Sequence, residues 1–351
     1  MDLELWQTFT AFNTKEREVI MSSDEFALDF GIVVIGRNEG ERLREALSSV
    51  KATTDAPIVY VDSRSKDNSV EIARSLGIET LLLSDDKPIN ASRARNEGAN
   101  ILITRFPKLR YLQFLDGDTV LDKDWIVSSY KHLEAHAEVA YVCGQLREKN
   151  RDENIYRRLC DMEWRWEATK NADPCSLGGI GMMRVTALTD SGGYDETLIA
   201  GADPELYNRL VKSGWVLHVL NVIMGIHDSG MLSFRQWWIR AMKSGFSFAN
   251  GQASGAWERE LRSAIVWGCI LPAMSIVGAI VMNIWYLGLL LLFPLNMLRI
   301  WTSPAKIEFS QYDQFLYAVA CMAMKIPQCI GIAKFYWRNY TNQASSVIQY
   351  K

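Results

Sequence analysis

The chain has 351 residues, enough for two domains or for one large domain with an appendage. A net charge of −3 with no basic tail argues against a nucleic-acid binder. The six cysteines, Cys143, Cys160, Cys175, Cys269, Cys321 and Cys329, form no C-x-x-C pair and fit no zinc or disulfide spacing, so reduced thiols in a cytosolic setting are expected.

Residues 1–27 mix acids with apolar residues and lack the basic start and apolar core of a signal peptide. This leader is therefore expected to stay in the cytoplasm. Residues 31–36 read as a buried strand, followed by a helix through 41–47. Residues 58–61 form the next strand, which ends at Asp62, and a helix starts near 67–69. A third strand covers 80–83, a helix 91–104 and a fourth strand 111–115. This βαβα order predicts a mostly parallel sheet with helices on both faces. Ligands of such sheets bind outside the carboxyl ends of the strands. Arg37-Asn38-Glu39, Asp62 and Asp116-Gly117-Asp118 all fall at those ends.

The fourth strand delivers two carboxylates, one residue apart, into a turn. Residues two apart on an extended segment share a face, so Asp116 and Asp118 can converge on one cation. Their hard oxygens suit Mg²⁺ or Mn²⁺, ions that usually carry phosphate. A polar turn after a buried strand produces the same short pattern. Further on, residues 177–181 supply small side chains where an acceptor can approach backbone, or simply a turn. Asp203-Pro204 reads as a helix N-cap with proline at N1, and Glu205 with Arg209 as an i,i+4 surface pair. His227-Asp228 closes a strand-like segment at 222–226.

Residues 263–298 contain no charge over 36 positions, whereas one membrane-spanning helix needs about 20. Arg259 and Arg262 precede the run, and Arg299 and Lys306 follow it. Basic residues at both ends favour a hairpin, turning near 283–286, with both ends cytoplasmic. A membrane-dipping loop and a buried helical pair are the alternatives. The mixture of basic and aromatic residues at 334–338, after an apolar stretch at 315–324, predicts a helix lying in the membrane interface.

The motifs, taken in series, resemble those of family 2 glycosyltransferases. Residues 34–39, VIGRNE, resemble the family's V-I-P-x-x-N-E opening, and residues 61–69, VDSRSKDNS, its V-D-D-G-S-x-D-x-[ST] segment. Ala94-Arg95-Asn96-Glu97-Gly98 resembles its A-R-N-x-G helix, and 114–118 its D-x-D motif. The resemblance covers about residues 31–250. It implies a GT-A nucleotide-diphospho-sugar transferase fold, Rossmann-like and α/β, with C-terminal membrane helices. It also implies a nucleotide-sugar donor, with a UDP-sugar favoured, and a divalent metal, Mn²⁺ or Mg²⁺. By this resemblance Asp62 accepts a hydrogen bond from the base, and Arg37, Glu39 and Arg95 line the donor site. Asp116 sits near ribose and metal, Asp118 ligates the metal and His227 completes the metal site. Residues 201–210 resemble the family's E-D-x-E-L-x-x-R-L segment, which makes Asp203 the catalytic base of an inverting transfer. Residues 234–241 resemble a Q-x-x-R-W region with loosened spacing, where Gln236 and Arg240 hold diphosphate or acceptor. Ser63, Arg64 and Ala202 depart from the family pattern, and the first two imply an altered turn after Asp62.

The expected organisation is a leader at 1–27, a GT-A domain at 28–255, a membrane hairpin at 256–302 and an interfacial helix with tail at 303–351. The expected acceptor is a lipid-linked or membrane-assembled glycan, at a cytoplasmic (inner) membrane with the catalytic domain facing the cytoplasm. Two alternatives remain at this point. Residues 116–121 also fit the nucleophile strand of haloacid-dehalogenase-like phosphatases, with Asp116 as nucleophile and Asp118 as acid/base. A catalytically inert membrane scaffold keeps the same fold without chemistry.

Overall fold

The structure is a computed structural model and describes residues 29–165, 172–173, 177–198, 201–303 and 309–341. The leader, Cys175, Lys306 and the tail beyond 341 lie outside these residues. Eight strands form one sheet: β1 (Phe30–Gly36), β2 (Ile58–Asp62), β3 (Glu79–Leu82), β4 (Tyr111–Asp116), β5 (Thr119–Leu121), β6 (Val139–Glu148), β7 (Gly181–Arg184) and β8 (Val216–His227). Their order is β3-β2-β1-β4-β7-β6-β8-β5.

The first four strands are parallel. β7 runs antiparallel to both β4 and β6, so the sheet is mixed beyond β4. β1, β2 and β4 are buried almost end to end, which explains their mostly apolar sequence, with Gln113 of β4 an exception. Helices α1 (Glu41–Thr53), α2 (Ser69–Ser75) and α3 (Ala91–Arg105) follow the first three strands, as the alternating pattern predicts. α3 starts where Asn90 accepts a hydrogen bond from the Arg93 amide at 2.9 Å. Register then aligns the strand ends, with Gly36 opposite Asp62 and Ile35 opposite Asp116.

The rest of the domain adds α4 (Trp125–Ala135), α5 (Ile155–Trp164), α6 (Val185–Asp190), α7 (Ala202–Lys212) and α8 (Phe234–Asn250). β5 pairs with the end of β8 so that Thr119 faces His227. The Asp228 amide donates to the Asp118 carbonyl at 3.0 Å, which ties His227 to the turn after β4.

Among the described residues, three helices are long and apolar enough to cross a membrane: Glu258–Val281 (α9), Ile284–Trp301 (α10) and Gln311–Tyr340. The third divides at Met324 into α11 (Gln311–Ala323) and α12 (Lys325–Tyr340). α9 contains a π-helical stretch, Val266–Ile270, just before Pro272. Pro272 has no N–H to return to the preceding turn, and the wider stretch absorbs that defect. The α9–α10 turn falls at Met282-Asn283, where Asn283 caps α10 by accepting from the Trp285 amide at 3.0 Å. Apolar side chains around it are bare, with Ile280 79% and Trp285 83% exposed.

Candidate active site

A cleft of about 370 Å³ opens at the carboxyl ends of β1, β2 and β4. Its lining includes Arg37, Glu39, Ser63, Asp116, Asp118 and His227. The loops after β1 and β2 are stitched together beneath it. The Asn38 amide donates to Ser65 Oγ at 2.8 Å, and the Glu39 amide donates to Ser69 Oγ at 3.0 Å.

Asp62 serves this stitching. It is fully buried and accepts from Tyr60 Oη at 2.7 Å, the Ser65 amide at 2.7 Å and Ser65 Oγ at 2.6 Å. Ser63, not Asp62, reaches the cleft wall. Arg64 takes a φ of +66°, the left-handed region that favours glycine. The arginine therefore stands in a backbone conformation that glycine adopts without strain. Arg64 pairs with Asp85 at 2.6 Å.

Asp116, Asp118 and His227 each present a ligand atom within 4.8 Å of the others. His227 Nε2 lies 3.1 Å from Asp118 Oδ1, and Trp164 meets the imidazole edge-on at 4.3 Å between ring centroids. The other ring nitrogen, Nδ1, is buried without a hydrogen-bond partner. Burial opposes protonation of His227, but Asp118 outweighs it and the pKa rises. Asp116 keeps 35% of its side chain open to the cleft and is otherwise surrounded by protein. That enclosure raises its pKa, Arg95 pulls it back down, and Asp118 adds to the rise. Two crowded carboxylates, an imidazole and an orphaned ring nitrogen fit a divalent cation.

Arg95 links this corner to Asp203. Its Nη2 is 3.2 Å from Asp116 Oδ1 and its Nη1 is 3.3 Å from Asp203 Oδ1. Burial disfavours the guanidinium charge, but Asp203 and Asp116 more than offset this and hold it protonated. Gly179 closes over the pair, since a Cβ there would fall 2.2 Å from Arg95 Nη2 and 2.7 Å from Asp203 Oδ1. The small residues at 177–181 thus make room for Arg95 and for Tyr141, which lies beneath Gly181. The next motif residue, Asn96, straps the following loop in place. It donates to the Tyr194 carbonyl at 2.8 Å and accepts from the Tyr194 amide at 2.9 Å, which brings the Tyr194 ring to Arg95.

The helix at Asp203 begins at Ala202, with Gly201 in the capping position and no side-chain cap. Asp203 therefore lies inside the first turn, which corrects the N-cap reading. The Glu205–Arg209 pair is present at 2.6 Å, and Arg209 also donates to the Gly193 carbonyl at 2.7 Å, so it anchors a loop as well. Gln236 and Arg240 are not brought to the cleft. Gln236 accepts from the Leu232 amide at 2.8 Å at the start of α8, and Arg240 pairs with Glu163 at 2.6 Å. Tyr194 was not recognisable from sequence as a site residue; Ser63 stood out only as a departure from the family pattern, and Gly179 only as one of the small residues at 177–181. Asn90, also in the cleft wall, carried only the signal of a helix cap.

Residues 31–188 match the family described as Glycosyl transferase family 2. This segment is a family 2 glycosyltransferase domain. A search of curated proteins gave no match. Among solved structures, the mannosyltransferase PcManGT from Pyrobaculum calidifontis, in complex with GDP-Man and Mn²⁺, is similar over 95% of this chain and 94% of its own. The identity is 16% and the TM-score 0.59, a likeness of fold. TarS 1-349 from S. aureus in complex with UDP aligns over 91% of this chain and 93% of its own, at 13% identity and a TM-score of 0.49. The glycosyltransferase has the GT-A fold, and with the family match the phosphatase alternative drops out.

Proposed function

We propose that this glycosyltransferase transfers a sugar, with inversion, from a nucleotide-diphosphate donor to a membrane-held acceptor. The observation that carries the reading is Arg95. It joins Asp116 of the D-x-D motif to Asp203 in one buried contact, so motifs more than 80 residues apart form a single site. Asp116, Asp118 and His227 would hold Mn²⁺ or Mg²⁺. Bound there, the cation supplies charge neutralisation for the leaving diphosphate. Arg37 and Glu39 line the donor side, and Asp62 props the loop on which Ser63 faces the donor.

Asp203 accepts the proton of the acceptor hydroxyl. As that oxygen bonds to the anomeric carbon, the bond from this carbon to the diphosphate oxygen breaks, and the nucleoside diphosphate departs with the electron pair. Arg95 keeps Asp203 aimed until the acceptor arrives. GDP-Man in the PcManGT complex and the UDP-sugar preference inferred from sequence make GDP- and UDP-linked sugars the donors to test.

We further propose a catalytic domain at 28–255, a membrane hairpin at 256–302 and an interfacial segment at 303–351, with the catalytic domain on the cytoplasmic side of the inner membrane. The third apolar helix is tied to the catalytic domain at several points along its length, which supports an interfacial course over a third span. Asp313 pairs with Arg151 at 2.6 Å and with Arg158 at 3.4 Å, and α12 lies against α8. A lipid-linked or membrane-assembled glycan is the acceptor that this placement suits.

The test is a screen of nucleotide sugars by calorimetry with and without Mn²⁺, repeated on Asp118→Asn. A metal-dependent donor signal is expected in the native protein. In the variant the fold should persist while turnover falls at least ~100-fold, as when a main electrostatic stabiliser is removed. Undiminished activity in EDTA or in Asp118→Asn would remove the metal from the mechanism. Failure with every donor would return the inert scaffold.

A further inference from the structure

A second cavity, of about 320 Å³, lies where the catalytic domain meets the C-terminal helices. α8 contributes Trp237 and Arg240, α5 contributes Glu163, α9 contributes Glu260, and α12 contributes Lys325 and Gln328. Its volume is in the lower part of the ~300–1,000 Å³ range of small-molecule sites. It adjoins the active site through α5, because Glu163 precedes Trp164, the residue edge-on to His227.

The chemistry of the wall selects a ligand class. Two acids and two bases cancel, so the cavity has no excess charge to attract an ion. Arg240 and Glu163 already satisfy each other at 2.6 Å. Lys325 forms no ion pair among the described residues. Gln328 is only 3% exposed, and its Oε1 has no hydrogen-bond partner. An orphaned acceptor and an available amine donor in one cavity match hydroxyl groups, each of which donates and accepts. The Trp237 ring adds an apolar surface suited to the C–H face of a sugar ring. The walls from α9 and α12 belong to candidate membrane helices, and Arg259 and Arg262 stand at the start of α9, the place of basic residues at a membrane surface.

We propose that this cavity takes the uncharged, polyhydroxylated headgroup of a membrane glycolipid, with its hydroxyls donating to Gln328 Oε1 and accepting from Lys325 Nζ. The proposal rests on the reading that the C-terminal helices enter a membrane, and the controls separate the two.

The experiment uses the full chain and measures binding to phosphatidylcholine vesicles, either plain, or carrying monoglucosyl diacylglycerol, or carrying phosphatidylglycerol. Plain vesicles report membrane attachment alone. Monoglucosyl diacylglycerol should tighten binding roughly tenfold, the value of one or two hydrogen bonds. Gln328→Met should erase that gain while leaving plain-vesicle binding intact. The variant should fold, because a side chain of similar volume replaces a buried amide whose oxygen has no partner, which removes the desolvation cost of that oxygen. Lys325→Met is the second variant, with the same expected loss. Free methyl glucoside should compete with the glycolipid, and should raise the melting temperature of detergent-solubilised native protein but not of Gln328→Met. That arm decides the cavity even if no vesicle binds. Equal glycolipid gain in native protein and both variants, no gain at all, or the same gain from phosphatidylglycerol would overturn the proposal.

Discussion

Asp203 stands 3.3 Å from the Arg95 guanidinium, inside the first turn of α7. A capping aspartate tolerates asparagine well, but a carboxylate paired with a buried arginine does not. Asp203→Asn should therefore cost about 1–2 kcal/mol in stability, measurable by denaturant titration, since it weakens a charge-assisted hydrogen bond. Donor binding should stay close to native, while kcat collapses. Full transfer activity in this variant would move the search for the base to Glu205. The same scale shows where reading residues one by one ends. Asp62 lies at its expected strand end, but its oxygens are committed to Tyr60 and Ser65. That commitment depends on the path of the loop after β2, which residue type alone does not determine. Gly179 read either as a place where an acceptor approaches backbone or as a plain turn, and its requirement comes from Arg95, a residue 84 positions away in the chain.

At the scale of elements, β1, β2 and β4 with their helices were legible because burial on both faces leaves long apolar runs. β5, β6 and β7 escaped the sequence reading. Three- and four-residue strands such as β5 and β7 are too short to show a period, and they exist through pairing with partners distant in the chain. The α8–α12 contact is equally hidden. A Cβ on Gly331 would fall 1.9 Å from the Met242 carbonyl oxygen, and one on Gly245 would fall 1.9 Å from that of Gln328. These two helices thus touch backbone to backbone. Gly331→Leu must drive them apart and should lower the melting temperature sharply, with a loss of about 1–3 kcal/mol or more from overpacking. An unchanged melting temperature would show that α12 does not hold this position on α8. The catalytic residues lie on other elements, so metal binding by the folded fraction should be retained.

For the molecule as a whole, the bare apolar surface of α9 and α10 is what the proposed membrane attachment rests on. Ile276 is 53% exposed on α9, and no described element covers this face. Arg at Ile276 should oppose membrane insertion by about 2.5–3.5 kcal/mol and shift protein into the soluble fraction after cell lysis. Reporters fused at the N-terminus and after Lys351 should both read as cytoplasmic if α9 and α10 form a hairpin. A C-terminal reporter on the far side would replace the hairpin with an odd number of crossings. Complete release of the native protein by carbonate would make the pair a soluble element.

The sequence by itself determined the parallel half of the sheet, the D-x-D turn at its edge and the uncharged run at 263–298. Each of these is a local pattern, set by side-chain period or by charge over neighbouring residues. Tertiary structure alone decided that Arg95 joins Asp116 to Asp203, that Asp118 meets His227 through the β5–β8 pairing, and that Arg240 faces Glu163 instead of the donor cleft. Such contacts bring together residues tens of positions apart. Their geometry follows from strand register and helix docking, which depend on the packing of the whole core and leave no local signature in the chain.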